Sequence, residues 1–143
     1  IYQDTEKFSM KKIKVLCGLI FNSLDQLLIT RRGNGDFKGK WEFPGGKLEE
    51  NETEEECLKR EILEELNIEI DIDYFLMNNF HDYSTFSVEL ISYVSTIKSG
   101  KIKLSDHDKY EWVDIKKLKK FDFLEGDLPI IEQIVSDKIK PSQ

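Results

Sequence analysis

The sequence predicts an α/β (α+β) domain in which a mixed β-sheet is sandwiched between α-helices. Three observations predict it: strand-like apolar runs before and after the middle of the chain, one amphipathic helical stretch between them, and a second helical stretch near the end. With 143 residues, 39% of them hydrophobic, the chain is large enough to bury one core and too small to divide comfortably into two. Residues 11–140 are therefore expected to form a single domain. Ile1 to Met10 are polar and aperiodic and are expected to be a disordered leader or an expression remnant.

The first element is the near-continuous apolar run of Ile13, Val15, Leu16, Cys17, Leu19, Ile20 and Phe21. Leu27, Leu28 and Ile29 form a second run across the turn-like Asn22 to Gln26, so two strands of a central sheet are predicted. Gly33 to Gly39 reads as loop, leading to Trp41, Phe43 and a Pro44-Gly45-Gly46 breaker. Thr53 followed by Glu56 makes a capping-box start, and Cys57, Leu58, Ile62 and Leu66 then recur at helical spacing. A helix from Glu54 to Leu66 follows, with Asn67 as its stop because Asn tolerates the left-handed conformation.

From Ile68 to Ile97 the chain is rich in Ile, Tyr, Phe, Val and Thr, with polar breaks near Asn78-Asn79 and at Asp82, which predicts two or three more strands. Ser99-Gly100-Lys101 marks a turn. Tyr110, Trp112 and Val113 alternate as a short strand, Ile115 to Lys120 reads as a basic helical turn, and Asp127 opens a final helix carrying Ile130, Ile131, Ile134 and Val135. In Gly126-Asp127-Leu128-Pro129 the Asp is a ready N-cap.

The composition narrows the function classes. No stretch approaches the ~20 apolar residues of a membrane span, and a soluble, cytoplasmic protein with no membrane partner is expected. Cys17 and Cys57 have no spacing that suggests a disulfide framework or a zinc site and are expected to be small buried hydrophobes. The net charge of −7 argues against a binder of duplex nucleic acid held by phosphate contacts. Nine glutamates lie between Glu49 and Glu65 against only Lys59 and Arg60, so this one segment accounts for the whole net charge.

Glu61, Glu64 and Glu65 stand at i, i+3 and i+4 and so project from one helix face as neighbours. Like charges at that spacing destabilise a helix by a few tenths of a kcal/mol per pair, roughly, unless something cationic compensates. An all-oxygen cluster without nearby His or thiolate suits Mg²⁺ or Mn²⁺ rather than zinc or copper. A solvated glutamate-rich helix is the plainer alternative for the triad alone.

The wider spacing speaks against that alternative. Gly46, five residues, Glu52, seven residues, Arg60-Glu61, Ile62, Leu63, Glu64-Glu65, Leu66, Asn67 and Ile68 closely resemble the Nudix box, departing only where Asn67 replaces its final glycine. Leu28 to Arg32, Trp41 to Lys47 and Glu111-Trp112-Val113 extend the resemblance to the MutT-like branch of the Nudix hydrolases, over most of Lys11 to Ile139.

That resemblance implies a Nudix fold and a metal-dependent pyrophosphohydrolase that converts a nucleoside triphosphate to the monophosphate and pyrophosphate. It implies that Glu61, Glu64, Glu65 and the Gly45 carbonyl hold the metal, with Arg60 orienting a neighbouring glutamate and Glu52 anchoring both. It adds a loop carboxylate, for which Asp106 fits best and Glu111 is the rival. Glu61 or Asp106 is the implied general base, and the sequence does not choose between them. Arg32, Glu42, Phe43, Pro44, Gly45 and Asp127 are implied on the substrate side. Arg32 would meet phosphate or base, Phe43 or Trp41 would stack on a base, and Asp127 would read its edge. An Asp there resembles enzymes acting on cytidine-type or oxidised purine nucleotides. A Nudix hydrolase of dinucleoside polyphosphates or nucleotide sugars is the rival within the class, with Tyr83 its supporting residue; a non-catalytic nucleotide sensor is the rival outside it. The sequence leaves the oligomeric state open.

Overall fold

Alternation along Lys11–Phe21 sets the two layers of the molecule, as the computed structural model shows for residues 11–142; the expectation for residues 1–10 lies outside the described residues. The strands are β1 (Lys11–Phe21), β2 (Leu27–Arg32), β3 (Trp41–Glu42), β4 (Gly45–Lys47), β5 (Ile68–Asp82), β6 (Phe86–Gly100) and β7 (His107–Val113). Helix α1 spans Glu54–Leu66 and α2 spans Leu128–Asp137, with 3-10 turns at Ile115–Lys120 and Glu125–Asp127.

Successive β1 side chains point to opposite faces. Leu16 and Ile20 join Cys57, Leu58, Ile62 and Leu66 of α1 in one buried cluster, while Cys17, Leu19 and Phe21 join Phe43, Val113, Ile130, Ile131 and Ile134 in the other. Each fully buried aliphatic side chain contributes about 1.5–3 kcal/mol. The mixed sheet between helices expected from the sequence is therefore the fold observed, and both cysteines are buried and free.

The strand order is β3-β2-β1-β6-β5, with β4 added on β1 and β7 on β2. β1 runs parallel to β6 along its full length, from Lys11↔Phe86 to Phe21↔Thr96. Its other edge is divided: β4 occupies Val15 to Cys17, and β2 meets β1 only at Phe21↔Leu27. Beyond that pair β2 diverges and takes β7 and β3 as partners instead.

Helix α1 starts and stops where the sequence places it. Thr53 and Glu56 form the reciprocal capping box, and Asn67 takes the left-handed conformation at φ 59°. Two expectations need correction. Asn78 and Asn79 do not break the chain: β5 continues unbroken to Asp82, because neighbouring groups take up both side-chain amides, Asn78 Nδ2 donating to Glu89 at 2.9 Å and Asn79 Nδ2 to the Gly126 carbonyl at 2.9 Å. The Pro44-Gly45-Gly46 segment is not loop alone, since Gly45–Lys47 pairs with β1. Two- and three-residue strands are too short to show alternation. Among the described residues no helix is long and apolar enough to cross a membrane.

Candidate active site

Arg60 organises the acidic face of α1. Its guanidinium grips Glu52 through two parallel bonds, Nε to Oε2 at 3.0 Å and Nη2 to Oε1 at 2.8 Å. Nη1 donates to Glu61 at 2.9 Å and to Glu64 at 3.3 Å. The pairing with Arg60, aided by the Glu49 N–H, lowers the Glu52 pKa to about 2. Burial works the other way on Glu61, whose pKa is raised although Arg60 opposes the shift. A Cβ at Gly46 would lie 2.2 Å from the Glu61 carboxyl, so this glycine leaves the space that the carboxylate fills.

Glu65 lies a turn further along α1. Its carbonyl accepts from Ser105 N at 3.2 Å, and Leu66 O accepts from Lys103 N at 3.0 Å, which pins the 103–106 segment to the end of the helix. Glu65, Asp106, His107, Glu42, Arg32, Gly33 and Asn34 thereby line one pocket. Burial raises the Glu65 pKa to about 7; His107 opposes this while Glu42, Glu61 and Asp106 reinforce it. His107 is buried and bonded through Nε2 to Glu42 at 2.9 Å. Burial disfavours its charged form most strongly of any single influence, yet Glu42 and Glu65 together outweigh it and the His107 pKa is raised. The rival carboxylate Glu111 stands on β7 opposite Ile29, with Lys109 Nζ at 3.5 Å.

The second recess is a cleft of roughly 180 Å³ on the α2 side of the sheet. Its walls are Phe37, Phe43, Tyr83, Phe86, Val88 and Leu90, with Arg32, Glu42, Gly45 and Asp127 among its margins. Asp127 does not cap α2 with its side chain as the sequence suggests. It makes no capping bond; the carboxyl turns inward, is buried, and accepts from Phe43 N at 3.3 Å. Burial pushes its pKa up to about 8, helped by Glu42 and opposed by the Phe43 N–H and Arg32. A carboxyl held in its neutral form can donate as well as accept.

The remaining sequence-predicted residues divide. Arg32 bonds Glu42 at 3.1 Å and lies 6.0 Å from the Phe37 ring centroid. Phe43 both borders the cleft and packs on Phe123. Pro44 is buried behind the cleft, its carbonyl accepting from Gly18 N at 2.7 Å. Trp41 faces away from the cleft into the core, edge-on to Phe121 at 5.2 Å, so the stacking role considered for it is withdrawn. Phe37, Phe86 and His107 had no local signature. His107 meets Glu42 across 65 positions, a contact created by the pairing of β2 with β7 on one side and with β3 on the other.

Among the described residues no three His, Cys, Asp or Glu side chains converge as a finished metal cage. Magnesium does not require one, since it keeps several waters and takes one or two carboxylates together with substrate phosphates. The carboxylates of Glu61, Glu64, Glu65 and Asp106 and the Gly45 carbonyl offer oxygen donors, and His107 in the same pocket is engaged by Glu42 through Nε2, so the residues fit a hard divalent cation.

Comparison with known proteins agrees. The NUDIX domain family model matches residues 10–134. A CTP pyrophosphohydrolase of Escherichia coli (strain K12) is 27% identical over 127 residues, covering 89% of this chain and 94% of that protein. An 8-oxo-dGTP diphosphatase of Haemophilus influenzae is 30% identical over 129 residues, covering 89% and 94% respectively. The crystal structure of the MutT protein from Methanosarcina mazei Go1 superposes with a TM-score of 0.83 at 24% identity, covering 93% of this chain and 99% of that one, and speaks for the fold. Family model, relatives and architecture together place this chain in the NUDIX domain family, as a MutT-like pyrophosphohydrolase.

Proposed function

We propose that the chain, with residues 11–140 as its single domain, hydrolyses a phosphoanhydride bond of a nucleoside triphosphate and releases the monophosphate and pyrophosphate. One observation carries this reading: Arg32 and Glu42 line both the apolar cleft and the acidic pocket. A ligand whose base fills the cleft therefore directs its phosphates past Arg32 toward Glu65 and Asp106.

Glu61, Glu64, Glu65, Asp106 and the Gly45 carbonyl would hold the divalent metal, magnesium with manganese as a substitute. When bound, it neutralises phosphate charge and lowers the pKa of water. Arg60 keeps Glu52, Glu61 and Glu64 in register, and Glu61 or Asp106 takes the proton of the attacking water. Arg32 supplies a guanidinium fork to phosphate oxygens. Phe43 and Tyr83 flank the base, and the protonated Asp127 reads an edge that offers an acceptor beside a donor. Cytidine-type and oxidised purine bases offer such edges, and relatives named for CTP and 8-oxo-dGTP support that choice.

The test is a screen of canonical, oxidised and methylated nucleoside triphosphates, ADP-ribose and dinucleoside polyphosphates, with magnesium and with a chelator. Pyrophosphate from one triphosphate, lost on chelation, is expected. Tight binding without product, or product from a dinucleoside polyphosphate only, would overturn the reading.

A further inference from the structure

The hairpin of β5 and β6 reaches the turn that carries Asp127 and holds it from two sides. Asn79 Nδ2 donates to the Gly126 carbonyl at 2.9 Å. The Gly126 N–H in turn donates to Tyr83 Oη at 3.2 Å. The hydrogen-bonding groups on both sides of the Gly126 α-carbon are thus bound by hairpin side chains, and His81 Nε2 stands 3.4 Å from the Glu125 carboxylate beside them. The fit is close: a Cβ at Gly126 would lie 3.0 Å from Leu90 Cδ1 and 3.1 Å from Tyr83 Oη.

This grip acts where the helix provides none. Asp127 makes no capping bond, and its carboxyl has a single protein partner at 3.3 Å, so its direction follows mainly from the backbone that carries it. Tyr83 has two functions in one side chain. Its ring lines the cleft, stacked 5.2 Å from Phe86 and 5.3 Å from Phe37, while its hydroxyl accepts from the turn. Asn79 stands outside the cleft lining, and its side-chain amide donates to the turn. The amide oxygen of Asn79 is buried without a partner among the described residues, a cost the fold bears while the other end of the amide holds Gly126.

We propose that Asn79 and Tyr83 are positioning residues for base selection, fixing through Gly126 the point at which Asp127 presents its carboxyl to the cleft. The proposal rests on the reading that a base occupies the cleft and meets Asp127. Loss of one such bond is worth about five- to tenfold in affinity where it sets the placement of a recognition group.

The experiment compares kcat and KM of Asn79→Ala, Tyr83→Phe and Asp127→Ala, and of Asn79→Ala combined with Asp127→Ala, on CTP, UTP, dGTP and 8-oxo-dGTP. Asn79→Ala is expected to raise KM for the favoured nucleotide about five- to tenfold, with kcat nearly kept, and to narrow its advantage over the others by the same factor. That effect should vanish in the Asp127→Ala background. Tyr83→Phe keeps the ring and carries the same expectation for base preference if Asn79→Ala does not fold. Unchanged preference in both hairpin variants, with preference flattened by Asp127→Ala, overturns the inference and leaves the reading of Asp127 intact. Preference surviving Asp127→Ala overturns that reading and the inference with it. An equal loss on every nucleotide shows general structural support and also overturns the inference.

Discussion

Replacing Asp127 by Asn isolates the electrostatic cost of a carboxyl buried in the cleft. The folded pKa is about 8, against an ordinary value of 3.8. Between those values the folded protein holds a proton that the unfolded chain has released. Stability from this group is therefore greatest below the unfolded pKa and falls as pH rises, until the folded carboxyl itself ionises. Each pH unit within that window removes about 1.4 kcal/mol, so the parent loses ~4 kcal/mol through Asp127 between pH 5 and pH 8. Asn has nearly the same shape, keeps an oxygen for the Phe43 N–H and does not titrate. The stability of Asp127→Asn relative to the parent should thus climb by ~4 kcal/mol from pH 5 to pH 8 and level off above it. The measurement is urea denaturation followed by tryptophan fluorescence, with buried Trp41 as a reporter. Glu65 titrates in both proteins and cancels in the difference. Two parallel pH profiles, separated by a constant offset, would refute the assignment of a buried, protonated Asp127.

Arg60→Lys retains the charge but loses the fork that spans Glu52, and should reduce kcat about 10–100-fold while the thermal midpoint moves little. Gly46→Ala places a methyl 2.2 Å from the Glu61 carboxyl on a backbone outside the left-handed region; displacing Glu61 by about 1 Å should cost on the order of 100-fold in kcat with unchanged circular dichroism. Glu65→Gln should lower pyrophosphate release at least ~100-fold, and at pH 8 its denaturation midpoint should match or exceed that of the parent because a costly buried charge is gone. A variant as fast as the parent would show the metal site to be misassigned.

What the sequence revealed depended on how locally each feature is encoded. Helix α1 was legible to the residue because capping box, apolar period and Asn67 stop lie within fifteen positions and agree. The Glu52-Arg60-Glu61 contacts lie within the same short stretch, with Glu52 just ahead of the Thr53 cap meeting the guanidinium that the helix carries two turns on. β5 was misjudged at Asn78-Asn79 because these amides find partners on β6 and in the turn at Gly126, far along the chain, and without them in view a polar pair imitates a break. Asp127 was ambiguous for a different reason. Preceding a Leu-Pro helix start it has every mark of a cap, and only the cleft, assembled from β1, β6 and the residues after β3, draws the carboxyl inward. His107 and Glu42 show the same limit, since their contact is created by strand pairing and leaves no trace in either local stretch.

The divided edge of β1 bears on how this enzyme could come to act on a different nucleotide. β4 reaches the lip of the cleft through Gly45, which also pairs with Cys17, while the core beneath α1 lies on the opposite face of the sheet. The layer that holds the cleft and the layer that carries the acidic helix therefore share a strand but not a core. Exchanges among Val88, Leu90, Phe86 or Tyr83 can reshape the cleft without repacking Leu58, Ile62 or Leu66 behind the glutamates. Substrate range is accordingly free to drift at a pace the hydrolytic apparatus does not have to match.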